Sequence, residues 1–309
     1  MKIVFMGTPD FAVPCLDEIV RRQHLVQAVI TQPDRPKGRG KKLAPPPVKE
    51  KALQYNLPVY QPEKVKDPNF IEVIKDLSPD CIVVVAFGQI LPKAILDIPV
   101  YGCINVHASL LPQYRGAAPI NWAIINGESM TGVTTMYMDE GLDTGDMIIK
   151  KEICIYNKNA GELHDEMARE GAILLGETLE LVAIGRAPRE KQCNEKSSYA
   201  PLMDKALGRI NWSKSAKDIY NLIRGVNPWP TAYTTYDGEV FKIWKAKIVE
   251  KDCKDQPGKI VKVDGSGILV CTGQHLLSIE EIQFPNNKRM GVDEYLRGHM
   301  IHENRILGE

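Results

Sequence analysis

Asn105 and His107, two positions apart in the run Ile104, Asn105, Val106, His107, carry the most suggestive chemistry in this chain. An amide offers a neutral donor, and an imidazole can donate, accept or hold a proton. Residues 101–106 alternate and are rich in strand formers, so the pair projects from one face of a strand. Ser109, Leu110, Leu111 and Pro112 end that strand abruptly. The pair therefore sits at the C-terminal end, where open α/β sheets bind their ligands. An amide beside an imidazole suits a reaction in which an oxyanion forms while a proton moves. A single histidine near a strand end more often has an ordinary structural role, and here the flanking residues weigh against that reading.

Residues 139–146 supply carboxylates: Asp139, Glu140, Asp143 and Asp146. They lack the ligand offsets of a calcium loop. The run reads as surface acidity around one functional carboxylate, and no metal is expected. Position alone does not separate Asp143 from Asp146.

Asn105, His107, the turn Ser109, Leu110, Leu111, Pro112, and Asp143 in its acidic loop resemble the signature of the folate-dependent formyltransferases. The likeness continues through residues 114–120, which open Tyr114, Arg115, Gly116, and through Thr131, Gly132, Val133 and Thr134. It implies that Asn105, His107 and Asp143 carry out formyl transfer, with 10-formyltetrahydrofolate as the formyl-donating cosubstrate. Ser109, Leu110, Leu111 and Pro112 would help to bind the folate. Phe87, Gly88, Gln89 and Ile90 would lie beside its pterin. Transfer from a bound donor to a primary amine would be direct, without a covalent enzyme intermediate and without a metal.

The elements that must hold these residues read as an α/β pattern. Residues 2–6 form an apolar strand broken by Gly7, Thr8, Pro9 and Asp10, and the spacing of Phe11, Cys15 and Ile19 predicts a helix after it. The Gly-x-Gly-x-x-Gly spacing of a dinucleotide cradle is absent. Further strands are predicted at 25–30, 57–60, 80–87 and 131–138, and helices at 48–55, 70–77, 117–125 and from Asn159 to about residue 184. Residues 80–87 are nearly all apolar, as a strand buried on both faces requires. Asn159 and Glu162 have capping-box spacing. Leu163, Met167, Leu174 and Leu181 form a core stripe, with His164 off it.

Residues 186–206 are charged and aperiodic and read as a linker. Short strands follow at 231–236 and 239–244, flanking Asp237 and Gly238, then at 260–263, 268–271 and 275–279. Hairpins at this spacing predict a small OB-like barrel. The fold class is thus α/β: a Rossmann-like formyltransferase catalytic domain at 1–188, a linker at 189–206, and an OB-like β-barrel domain at 207–309. The resemblance makes the last a tRNA-binding domain.

Formal net charge is zero, with 39 basic and 39 acidic residues. A nucleic-acid partner would have to be met by a local patch. Residues 32–42 hold five basic residues, one acidic residue, two prolines and two glycines. They read as an irregular exposed loop, either merely solvated or meeting phosphates. In the branch of the family that formylates methionyl initiator tRNA, a similar insertion works against the acceptor end. By that resemblance Arg35, Lys37, Arg39, Lys41 and Lys42 are candidate RNA contacts and initiator methionyl-tRNA is the expected partner. From Lys205 onward 16 basic residues face 13 acidic ones, a weak excess. Lys242, Lys245 and Lys247 form either an RNA-facing stripe or a solvated face. Two rivals share part of the pattern: a formyltransferase for an amino sugar or other small amine, and a non-catalytic RNA-binding protein on a Rossmann-like base.

The seven cysteines are scattered, with no Cys-x-x-Cys spacing, and are expected to be reduced thiols. The N-terminal apolar run is too short for a signal peptide. No run reaches the roughly 20 residues of a membrane helix. A cytoplasmic monomer is the expectation.

Overall fold

The computed structural model describes residues 1–37 and 42–309, with Lys37 and Lys42 described by their backbone alone. In chain order the elements begin with β1 (Lys2–Gly7), α1 (Val13–Arg21), β2 (Leu25–Ile30), β3 (Arg35–Lys37), β4 (Lys42–Ala44), α2 (Pro47–Gln54) and β5 (Val59–Tyr60). Next come α3 (Pro68–Leu77), β6 (Cys81–Val85), α4 (Lys93–Leu96), β7 (Cys103–His107), β8 (Arg115–Gly116), α5 (Pro119–Ile125), β9 (Met130–Tyr137), β10 (Met147–Cys154) and α6 (Ala160–Ala183). The remainder comprises β11 (Tyr199–Ala200), α7 (Ala216–Gly225), β12 (Ala232–Tyr236), β13 (Glu239–Val249), β14 (Ile260–Asp264), β15 (Gly267–Cys271), β16 (Leu276–Gln283), β17 (Met290–Gly291) and α8 (Val292–Tyr295).

Two compact units emerge: Met1–Gly116, Thr131–Cys154 and His164–Ala200 form the first, and Ala117–Met130, Ile155–Leu163 and Pro201–Glu309 the second. The first unit is built on a seven-stranded sheet of order β10-β9-β7-β6-β1-β2-β5. β7, β6, β1, β2 and β5 run parallel to one another, whereas β9 is antiparallel to β7. Every residue of β6 is buried, which is why its sequence is an unbroken apolar run. Val4, Met6, Ile30, Ile82 and Val84 pack with Ile74 of α3 and with Phe87 in one core. α6 opens on the expected reciprocal cap: Glu162 Oε2 accepts from the Asn159 N–H at 2.8 Å, and Asn159 Oδ1 accepts from the Glu162 N–H at 3.0 Å.

Several expectations need correction. Residues 32–42 are not wholly irregular, because β3 and β4 pair antiparallel, Arg35 opposite Ala44 and Lys37 opposite Lys42. Pro36 is tolerated there since, among the described residues, its strand is paired on one side. Strand β10 was not expected; as the outermost strand of its sheet it alternates too weakly in burial to leave a pattern. Of the stretch expected to be a linker, residues through Ala200 belong to the first unit.

In the second unit α7 was also unexpected, although Ser215 accepts from the Asp218 N–H as its N-cap and Ala216, Ile219 and Ile223 form its buried stripe. That cap spacing was a usable signal. The short strands assemble antiparallel in the order β12-β13-β16-β15-β14, with β17 on β16. Among the described residues no ladder joins β12 to β14, so this is an open sheet rather than a closed barrel. Phe241, Ile243, Ile268, Leu277 and Ile282 fill its core with Ile219 and Ile223. Cys253 and Cys271 are joined as a disulfide, Cα–Cα 5.8 Å, which corrects the expectation of seven free thiols. A pairing across 18 residues of loop and strand leaves no spacing motif to read.

Candidate active site

β7 brings Cys103, Asn105 and His107 to one face by simple alternation. Cys103 is no nucleophile: burial, with Asp97 nearby, pushes its thiol up to about 12. Asn105 and His107 are both buried, yet they lie at the strand end. Antiparallel β9 sets Met136 opposite Asn105 and Thr134 opposite His107.

Thr134 fixes the turn that follows. Its hydroxyl donates to the Ser109 carbonyl at 2.7 Å and accepts from the Leu111 N–H at 3.1 Å. Ser109 Oγ is wholly buried and donates to the Gln113 carbonyl at 2.6 Å. Ser109 and Leu111 therefore shape the turn from inside, while Leu110 and Pro112 stay partly accessible. In the other segment expected to meet the folate, Phe87 is core and Gln89 is committed to the Val65 N–H and the Pro62 carbonyl. Ile90 is 80% exposed. Gly88 has a φ of +84°, a conformation that suits glycine.

His107 Nε2 lies 2.9 Å from the Tyr114 carbonyl. A carbonyl cannot donate, so Nε2 carries the proton and Nδ1 is the nitrogen left for chemistry. Nδ1 faces Asp143 Oδ2 at 3.7 Å. Asp143 Oδ2 also accepts from the Gly116 N–H at 2.8 Å, and Oδ1 accepts a long bond from Asn105 Nδ2 at 3.4 Å. The Asp143 side chain is 13% exposed. Amide, imidazole and carboxylate thus share one small volume at the C-terminal end of β7, drawn from two segments. Asp146 does not join them; its carboxylate lies 3.8 Å from Arg189.

The backbone at Asp143 has a φ of +53°. Aspartate visits this left-handed region more readily than most residues, but still at a cost on the order of 1–3 kcal/mol. Surrounding bonds hold it there. Gln192 Nε2 donates to the Asp143 and Gly145 carbonyls, both at 2.8 Å. Arg115 donates to Gln192 Oε1 from Nε at 3.0 Å and from Nη2 at 2.8 Å. Sequence reasoning missed Gln192, which lies in a stretch without periodicity.

Of the candidate RNA contacts, Arg35 is exposed on β3. Arg39 and Lys41 lie outside the described residues, as do the side chains of Lys37 and Lys42. Lys242 and Lys245 are exposed on β13, where Lys245 pairs with Glu280 at 3.0 Å.

A mainly parallel sheet thus presents an amide, an imidazole and a carboxylate together at the end of one strand. The chain belongs to the formyl transferase family: residues 1–179 match the model "Formyl transferase" and residues 202–300 match "Formyl transferase, C-terminal domain". It is 61% identical to the methionyl-tRNA formyltransferase of Clostridioides difficile, over the whole of both chains. Among solved structures it resembles an N-formyltransferase from Helicobacter canadensis in complex with folinic acid and dTDP-3-aminofucose. That likeness has a TM-score of 0.67 and 20% identity, covering 90% of this chain and 99% of the other. It also resembles HypX from Aquifex aeolicus in complex with tetrahydrofolic acid, with a TM-score of 0.63 and 17% identity, covering 96% of this chain and 47% of that one. At such identities the last two speak to the fold alone.

Proposed function

We propose that this chain transfers the formyl group of 10-formyltetrahydrofolate to the α-amino group of methionine esterified to initiator tRNA. Full-length 61% identity to a methionyl-tRNA formyltransferase carries the reading. The convergence of Asn105, His107 and Asp143 at the end of β7 gives it a chemical basis.

The amine attacks the formyl carbon, a C–N bond forms, and the bond from that carbon to N10 of the folate then breaks. One proton leaves the attacking nitrogen and one arrives at N10, so the products are the formamide and tetrahydrofolate. The negative charge that gathers on the formyl oxygen needs a donor, and Asn105 Nδ2 supplies it. Its bond to Asp143 at 3.4 Å is long enough to yield. Losing such a donor typically costs about 10² to 10³ in rate. His107 Nδ1 and Asp143 relay the proton, an effect worth roughly 10² to 10⁴. Leu110, Pro112, Gly88 and Ile90 border the folate, with Ser109, Leu111, Phe87 and Gln89 supporting them from behind. No metal takes part.

The functional division is a catalytic region at 1–188, a stretch at 189–206 whose residues through Ala200 pack with that region, and an OB-like tRNA-binding domain at 207–309. Arg35, Lys37, Arg39, Lys41 and Lys42 meet the acceptor end. No described helix is long and apolar enough to cross a membrane, and the enzyme works as a cytoplasmic monomer. A formyl-transfer assay with 10-formyltetrahydrofolate tests the reading, with methionyl initiator tRNA run beside free methionine. Formylation of the charged tRNA alone supports it. Transfer to small amines, indifferent to salt, would overturn it.

A further inference from the structure

We infer that Gln192 is a positioning residue for Asp143, and that residues 189–200 act as a strap that fixes the reacting carboxylate. This rests on the catalytic role proposed for Asp143. The strap is tied down along its length. Arg189 lies over the Tyr137 ring, 3.6 Å from its centroid. Glu190 and Met147 exchange backbone bonds at 2.8 and 2.9 Å. Ser198 Oγ accepts from the Tyr114 N–H at 2.8 Å, and the Ser198 carbonyl accepts from the Arg115 N–H at 2.9 Å. Tyr199 and Ala200 then run parallel to Arg115 and Gly116 as β11 on β8.

Gln192 stands at the centre of this arrangement. Its NH2 bonds two carbonyls of the Asp143 loop, and its oxygen receives the Arg115 guanidinium. Arg115 is covalently joined to Gly116, whose N–H holds the Asp143 carboxylate. A closed ring results: Gln192 to the Asp143 backbone, Asp143 side chain to Gly116, Gly116 to Arg115, and Arg115 back to Gln192. It grips Asp143 by main chain and side chain together. Only an amide fits the central position, because it must donate to two carbonyls and accept from a cation at once. A glutamate would keep Arg115 but present acceptors to acceptors.

Gln192 touches neither His107 nor Asn105 through any hydrogen bond among the described residues, so its effect reaches the chemistry only through Asp143. A displacement of about 1 Å at a reacting group can cost 10²-fold in rate. Single-turnover transfer and steady-state kinetics on the full chain, with Q192M, Q192E, D143N and D143N/Q192M, test the inference, with thermal unfolding as the control. We expect Q192M and Q192E each to lower kcat about 10² -fold at unchanged KM for both substrates. In the D143N background Q192M should lower kcat less than about threefold further, since nothing remains to be positioned. Near-parental kcat in Q192E with D143N still impaired would overturn the role of Gln192 alone. Full activity of D143N would instead overturn the catalytic reading on which it rests. Equal loss from Q192M in both backgrounds would show a general structural role and overturn the inference.

Discussion

Replacing Asp143 with Asn preserves volume but reverses half of a hydrogen-bonding face. The carboxylate accepts from the Gly116 N–H at 2.8 Å and from Asn105 Nδ2 at 3.4 Å, while His107 Nδ1 faces it at 3.7 Å. An amide brings one acceptor to the place of two. Kept on the Gly116 N–H, it turns its own NH2 toward the NH2 of Asn105; flipped, it turns a donor toward Gly116. Either orientation leaves one donor in a largely buried site without a partner, a loss of about 1–3 kcal/mol in stability. His107 meanwhile loses the anion facing Nδ1, so the proton relay ends at the imidazole. We expect Asp143→Asn to lower single-turnover transfer by about 10² to 10⁴. Thermal unfolding should fall by a few degrees at most for each kcal/mol, as in chains of about this length or somewhat shorter. The assay is quenched-flow transfer at saturating donor, with a melting curve on the same preparation. A transfer rate within about threefold of the parent, in a variant destabilised as expected, would refute a catalytic role for the carboxylate.

Gly116→Ala tests the same ring by its backbone. Gly116 has a φ of +112°, and an added Cβ would lie 2.8 Å from the Ala200 carbonyl oxygen and 2.6 Å from the Tyr199 ring. The exposed ring can move, but the paired β11 backbone cannot cheaply, so we expect about 1–3 kcal/mol of lost stability and a reduced kcat. Unaltered melting and rate would show that neither the pairing nor the Gly116 N–H matters. Arg39→Ala should flatten the log–log salt dependence of tRNA affinity by about 0.7 to 0.9 and leave folate affinity alone. Equal damage to folate binding would make the basic segment structural. In alkylation mapped by mass spectrometry, exposed Cys193 should label quickly at neutral pH. Burial raises the thiol pKa of Cys15, Cys81 and Cys103. Those three should therefore label only on unfolding or at strongly alkaline pH, and rapid native labelling of any would contradict its burial.

The parts of the fold legible in the sequence are those with a local cause. Strand β6 announced itself because burial on both faces demands an unbroken apolar run, and α6 because Asn159 and Glu162 bond each other within one turn. Elements whose cause is remote were not legible. β10 lies at the sheet's end, so no alternation is forced on it. β3 and β4 are three-residue strands that, among the described residues, pair with each other alone. Cys253 lies in a loop and Cys271 at the end of β15, 18 positions apart, so their pairing has no local cause.

The site divides along the same line. Asn105 and His107 could be paired from sequence because a strand's period of two puts them on one face, and the turn after them marks the strand end. Asp143 could be named only through family resemblance. Its selection over Asp146 depends on Gly116 reaching back to it across 27 residues. The division of labour within the pair is also a long-range result. Composition allows His107 to bind an oxyanion or to move a proton. The Tyr114 carbonyl occupies Nε2, and Asp143 faces Nδ1. An imidazole bound in this way has one nitrogen turned toward a carboxylate, which is the ground for assigning it proton transfer and the oxyanion to Asn105 in the proposed mechanism. If that division holds, Asn105→Ala should slow transfer about 10² to 10³ without changing the pH dependence, because the amide carries no titrating proton. A shifted pH profile in that variant would return the oxyanion to His107.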